Sequence, residues 1–163
     1  TTQLNQLINM KKTFFILSAA LVVLMSSCKK EEEAAPKSLY DRLGGVSAIS
    51  AVVDQFITNV AADPNMVRTF TPLLTEVGKG NTARLTALRN NLIDQIGEAS
   101  GGPQKYTGKD MVTAHKGMKI TDTEFNSLVA DLVAALDKFS VPTTEKNELL
   151  GVLGGLKGMI VNQ

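Results

Sequence analysis

An all-helical domain is what this sequence predicts for residues 38–163, and three observations carry the expectation. Apolar residues recur at the spacing of an amphipathic helix in four separate segments. Strong punctuation divides those segments: Gly44-Gly45, Asp63-Pro64-Asn65, Ser100-Gly101-Gly102-Pro103 and Val141-Pro142. No window sustains the period-two alternation of a half-buried strand, so essentially no sheet is expected.

The first helix carries Val46, Ile49, Val52, Val53, Phe56, Ile57 and Val60 on one face. Ser47 lies close to a capping position at its start, and Asp63-Pro64-Asn65 ends it. The second carries Leu85, Leu88, Leu92, Ile93 and Ile96 and runs into Ser100-Gly101-Gly102-Pro103. The third is long, with Phe125, Leu128, Val129, Leu132, Val133, Leu136 and Phe139 in register. Thr121 and Glu124 form a capping-box pattern ahead of it. The fourth follows Val141-Pro142-Thr143-Thr144 with Leu149, Leu153, Leu156 and Ile160. Gly151, Gly154, Gly155 and Gly158 weaken that helix and would allow close packing against a flat neighbour. Residues 97–120 lack strong periodicity and are expected to form a long loop with short helical pieces, a feature that usually serves a function.

The N-terminus reads as an address. Lys11 and Lys12 precede an apolar run from Phe14 to Met25, and Ser26, Ser27 and Cys28 follow. That is the layout of a secretory signal, with Met10 as the expected start. A run of 12 residues is shorter than the roughly 20 needed to span a hydrocarbon core. Met25-Ser26-Ser27-Cys28 resembles a bacterial lipobox, in which the Cys becomes the lipidated first residue of the mature protein; the alternative is a plain signal peptide with a leftover thiol. Residues 1–27 are thus assigned to the signal, 28–37 to a lipidated Cys and solvated tether, and 38–163 to the domain. The tether's Lys-Lys-Glu-Glu-Glu-Ala-Ala-Pro composition offers no apolar anchor. The expected location is the outer membrane of a Gram-negative cell envelope, on its periplasmic or outer face.

Composition excludes several functions. The 163 residues hold one His, one Cys and no Trp, with 17 bases against 16 acids. Loss of residues 1–27 removes two lysines and no acid, turning a net charge of +1 into −1. No basic surface for nucleic acid is expected. One Cys cannot build a disulfide framework, and one His cannot build a multi-histidine metal site. No Gly-x-Ser-x-Gly elbow marks a hydrolase, and the glycines from Gly151 to Gly158 follow no strand, so they form no phosphate cradle.

His115 lies in the 97–120 loop, four residues after Met111, so the two share a face of a short helix. Spacing alone leaves two readings: a surface or capping His, or a sole axial ligand of haem iron seated in an apolar slot. The surrounding residues resemble a family. Leu39-Tyr40-Asp41-Arg42-Leu43-Gly44-Gly45, Phe56, Ala61-Ala62-Asp63, Phe70, Gly101-Gly102-Pro103, Tyr106-Thr107-Gly108, Met111, His115-Lys116-Gly117, Phe125 and Val141-Pro142 are similar, in that order, to the group I truncated (2-on-2) haemoglobins. The resemblance spans about residues 38–161. It implies a globin-like 2-on-2 helical sandwich, haem as cofactor, and His115 as proximal iron ligand. It further implies that Phe70 packs on the porphyrin and that Tyr106 and Met111 line or border the slot. Phe56, Ile57, Leu88, Leu92 and Phe125 complete the expected haem-contacting set.

One departure bears on ligand chemistry. Many group I members place a distal Tyr directly after the helix Phe, and this sequence has Ile57 there. The place of a second polar residue, usually Gln, falls on Leu88 or Arg89, with Asn90 and Asn91 as polar alternatives. An apolar distal pocket with weak O2 retention is therefore expected unless Arg89 reaches in. The resemblance implies reversible binding of O2, with NO and CO as further ligands; a binding role is expected ahead of an enzymatic one, which stays open. NO dioxygenation would need an external reductase. The competing expectations are an envelope-tethered haem carrier or scavenger and a haem-free helical adaptor.

Overall fold

The computed structural model describes residues 35–163. The signal segment, Cys28 and all of the tether before Ala35 lie outside the described residues. The described chain is helical throughout, as expected. In order it forms α1 (Leu39–Arg42), α2 (Gly45–Ala62), a 3-10 turn (Pro64–Met66), α3 (Val67–Gly78), α4 (Ala83–Ala99), α5 (Met111–His115), α6 (Asp122–Lys138), α7 (Thr143–Gly154) and a second 3-10 turn (Lys157–Met159). Its only β feature among the described residues is a single parallel bridge between Ile120 and Val161.

α2 is the central element, packed along both α4 and α6. Ile49, Val52, Val53, Phe56 and Val60 are buried, and they are five of the seven residues on its expected face. Its start differs from expectation. Gly44 is the capping residue, at φ +94°, and no side chain caps the helix. Ser47 sits exposed inside the first turn. Gly44 supplies, at the turn joining α1 to α2, a left-handed conformation that L side chains adopt only at a cost. At the far end Asp63 accepts a hydrogen bond from the Asn65 amide, 2.8 Å, and turns the chain into Pro64–Met66.

α3 has no counterpart among the helices expected from the sequence. Phe70, Leu73, Leu74 and Val77 carry the i, i+3, i+4, i+7 spacing, yet Pro72 stands in the middle. A proline there forfeits a hydrogen bond to the Arg68 carbonyl and crowds it. Burial of Leu73 and the contacts of Phe70 with the main core hold the helix against that cost.

The region from Gly97 to Ile120 is the expected long connection with one short helix, α5. Its entry is tightly packed: a Cβ on Gly102 would sit 2.4 Å from Cδ2 of Tyr40. The Thr121–Glu124 capping box forms as read: the Glu124 amide donates to Thr121 Oγ1 at 3.2 Å, and the Thr121 amide donates to Glu124 Oε2 at 2.9 Å. α7 is shorter than expected. It ends at Gly154, so Leu156 and Ile160 belong to the turn and tail beyond it. Among the described residues nothing lies within 4 Å of where a Cβ would stand on Gly151, Gly154 or Gly158, so these glycines mediate no close packing there.

Two apolar clusters result. The larger joins α1, α2, α4, α6 and α7 through Leu39, Val53, Phe56, Met66, Ile96, Leu136 and Leu149, among others. The smaller joins Ile120, Phe125 and Ile160, with Met111 and Met118 against them. Between α3 and α6 runs a polar clasp. Glu124, 7% exposed, takes Arg68 Nε and Nη2 at 2.9 and 2.6 Å and the Thr69 hydroxyl at 3.0 Å. The Arg68 guanidinium, with help from Thr121 and Thr69, holds the Glu124 carboxyl at about 2, well below the usual range.

Leu136 is 1% exposed at the centre of the main cluster. Leu136→Ala is expected to cost about 2–5 kcal/mol, read by urea unfolding of the haem-free protein. The depressed Glu124 pKa has a definite sign. Its stabilising contribution is complete above about pH 4.5 and is lost as pH falls towards 2, because the unfolded chain binds the proton first. Glu124→Gln should flatten unfolding free energy against pH between 5 and 2.

Candidate haem site

α5 has only five residues, so its position is set from outside rather than by its own stability. Asp110 caps it: Oδ1 accepts from the Thr113 amide at 2.9 Å. The Thr113 side chain first, and then that amide, lower the Asp110 pKa. From α4, the Gln95 amide group reaches the Met111 sulfur at 3.3 Å. At the end of α5, His115 Nδ1 lies 2.7 Å from the Met111 carbonyl oxygen. A carbonyl only accepts, so Nδ1 must carry the ring proton. The lone pair of a neutral imidazole is then on Nε2, free to bind a metal.

His115 borders a cavity of about 120 Å³. The other lining side chains are all hydrocarbon: Phe56, Ile57, Val60 and Ala61 from α2; Phe70, Leu73 and Leu74 from α3; Leu85, Leu88 and Leu92 from α4; Leu128 from α6. Ala61 and Leu74 are exposed, so the cavity opens at the surface. A second cavity, about 180 Å³, lies between α2, α6 and α7 and is lined by Leu43, Ile49, Val52, Leu136, Phe139 and Leu149 among others. It is the larger of the two, yet it holds no side chain able to ligate a metal, whereas the first holds an imidazole with a free nitrogen.

Six of the nine residues expected to contact haem meet around that first cavity: Phe56, Ile57, Phe70, Leu88, Leu92 and His115. Tyr106, Met111 and Phe125 do not line it. The Tyr106 hydroxyl donates to the Lys109 carbonyl at 2.6 Å, closing its own loop. Met111 and Phe125 turn into the smaller apolar cluster, where Lys157 stands 5.5 Å above the Phe125 ring. Met111 still acts on the site, through its carbonyl. Sequence spacing places Val60, Leu85 and Leu128 on apolar faces but does not mark them as lining; Leu73 and Leu74 stand at helical intervals from Phe70, a signal that Pro72 masks.

The polar candidates for the distal side are absent from the lining. Arg89 is turned onto Asp54 of α2, with Nε–Oδ1 2.5 Å and Nη2–Oδ2 2.8 Å, and that pairing lowers the Asp54 pKa. Asn90 is exposed, and Asn91 is half-buried outside the cavity.

A family model described as Bacterial-like globin matches residues 38–162. A group 1 truncated hemoglobin of Mycolicibacterium paratuberculosis is 32% identical over 123 residues, which is 76% of this chain and 83% of that protein. This chain belongs to the group 1 truncated haemoglobin family. Membership brings haem as the cofactor. The Fe(III) crystal structure of truncated hemoglobin from Tetrahymena pyriformis superposes with a TM-score of 0.68 at 26% identity, covering 78% of this chain and all of that one. The 2/2 hemoglobin of Synechococcus, solved in the cyanomet state with covalently attached heme, gives a TM-score of 0.61 at 25% identity over 72% of this chain and 91% of that one. For a truncated haemoglobin, the donor set fits: one imidazole with a free Nε2 and an otherwise hydrocarbon slot match an iron porphyrin's axial site and faces.

Proposed function

We propose that this truncated haemoglobin binds haem between α2, α3, α4 and α6, with His115 as its iron ligand, and reversibly binds a diatomic gas in an apolar pocket. The observation that carries this reading is the cavity in which His115 is the one polar lining residue. Haem iron supplies an open coordination position for O2, NO or CO. The chain's own residues do the rest. Met111's carbonyl fixes the His115 tautomer, and Phe70 offers a ring to the porphyrin. The side chains of α2 and α4 give the slot hydrocarbon walls. With His115 the one histidine of this sequence, none of its residues would offer haem iron a second imidazole.

The pocket's selectivity follows from what it lacks. A buried donor to a polarised ligand contributes about 1.5–3 kcal/mol, and each 1.4 kcal/mol is about tenfold in an equilibrium constant. With Ile57 where a phenol would stand, and with Arg89 held by Asp54, bound O2 gains no such bond from the lining. CO is less polar when bound and loses less. The same reading includes an envelope location through a lipid on Cys28, supported by the charged, apolar and small-residue order of residues 11–28. Metabolic labelling with a fatty acid tests it: label should appear on the wild type and vanish in Cys28→Ala.

His115→Gly is expected to abolish the five-coordinate ferrous spectrum, and added imidazole should restore it. Unchanged haem spectra in that variant would remove His115 from the site. Ile57→Tyr is expected to slow O2 dissociation by about 10- to 100-fold, with a much smaller change for CO, measured by stopped flow.

A further inference from the structure

We propose that Arg68 and Glu124 are positioning residues for the iron ligand, locking the turn that follows His115 to the helix that carries Phe70. The proposal rests on His115 being the haem ligand, and it assigns a role to two residues outside the cavity. Arg68 lies on α3, two residues before Phe70. Besides its two bonds to Glu124, it donates from Nη1 to the Met118 carbonyl at 3.0 Å and from Nη2 to the Lys119 carbonyl at 3.1 Å. The turn it grips begins at His115, whose carbonyl accepts from the Met118 amide at 2.9 Å.

The turn needs such a grip. It contains Gly117 at φ +82° and Lys119 at φ +49°, a left-handed conformation unfavourable for a lysine. α5 before it is too short to be stable alone. The Arg68 fork is suited to the work, because a rigid planar guanidinium can serve a carboxylate and two carbonyls at once, whereas an ammonium cannot hold that geometry. Glu124 is fixed in turn by Thr69 and by the Thr121 capping box, so the clasp is anchored on α3 and α6 together. On the far side, the Lys119 amide donates to the Gln163 carbonyl and the Asn162 amide to the Ile120 carbonyl, each at 2.9 Å. The iron ligand is thereby held relative to Phe70 by side chains that never touch the cavity.

The test compares wild type, Arg68→Lys, Arg68→Ala and Glu124→Gln, each reconstituted with haem. Three readouts are taken: the iron–histidine stretching band of the ferrous protein by resonance Raman, the rate of haem transfer to excess apomyoglobin, and the thermal midpoint of the haem-free protein. Loss of the clasp should shift or broaden the band and speed haem loss by about tenfold or more, the scale on which outer-shell partners act on bound metals. Arg68→Lys should fall between wild type and Arg68→Ala. A normal band and unchanged haem loss, with only a lowered midpoint, would show the clasp to be purely structural and overturn the proposal. Should Arg68→Ala not fold, Arg68→Lys and Glu124→Gln decide by the same criteria. Absence of an iron–histidine band in the wild type would instead overturn the haem reading itself.

Discussion

One imidazole must present a free nitrogen to a hydrocarbon slot, and most of the molecule can be understood as meeting that demand. The hydrogen bond from His115 Nδ1 to the Met111 carbonyl selects the tautomer. It costs nothing in the cavity, because the acceptor is the backbone of the same helical turn. The remaining difficulty is mechanical. A five-residue helix does not hold its own position, so the caps and clasps around α5 come from elements on every side: Asp110 before it, Gln95 from α4, Arg68 from α3, and the C-terminal tail behind.

The rest of the fold builds the slot. α2 packs against α4 and α6, and its buried face divides the interior. Phe56, Ile57 and Val60 serve both the main core and the cavity. Polar groups are spent away from the slot. Arg89 pairs with Asp54 at the surface, and Glu124 is surrounded by Arg68, Thr69 and Thr121. That division leaves the cavity wall hydrocarbon except where it carries His115, which is the physical basis for expecting weak discrimination in favour of O2.

Much of this was legible because it rests on spacing. The α2, α4 and α6 faces and the capping box are periodic or short-range patterns, and each appears where its residues place it. α3 was hidden by Pro72, since local rules disfavour a helix that tertiary burial of Leu73 then permits. The end of α7 is not legible, because Leu156 and Ile160 keep a helical interval although the chain leaves the helix at Gly155, before both, and passes through a 3-10 turn between them. His115 itself could not be assigned from spacing; the order of the motifs around it supplied the reading. Tyr106, Met111 and Phe125 show the limit of that transfer. They sit in the expected sequence order, but their side chains are engaged by Lys109, Gln95 and the smaller apolar cluster. The Arg68 clasp is not legible at all, because it joins residues 50 or more positions apart.

The central claim is that a single histidine holds iron in an otherwise apolar pocket. A crystal structure of the haem-loaded, CO-bound protein tests it most directly. The account predicts His115 Nε2 on the iron, the ring still hydrogen-bonded to the Met111 carbonyl, and only hydrocarbon side chains around the gas ligand. Iron bound by another residue, or a polar side chain bonded to the CO, would contradict it.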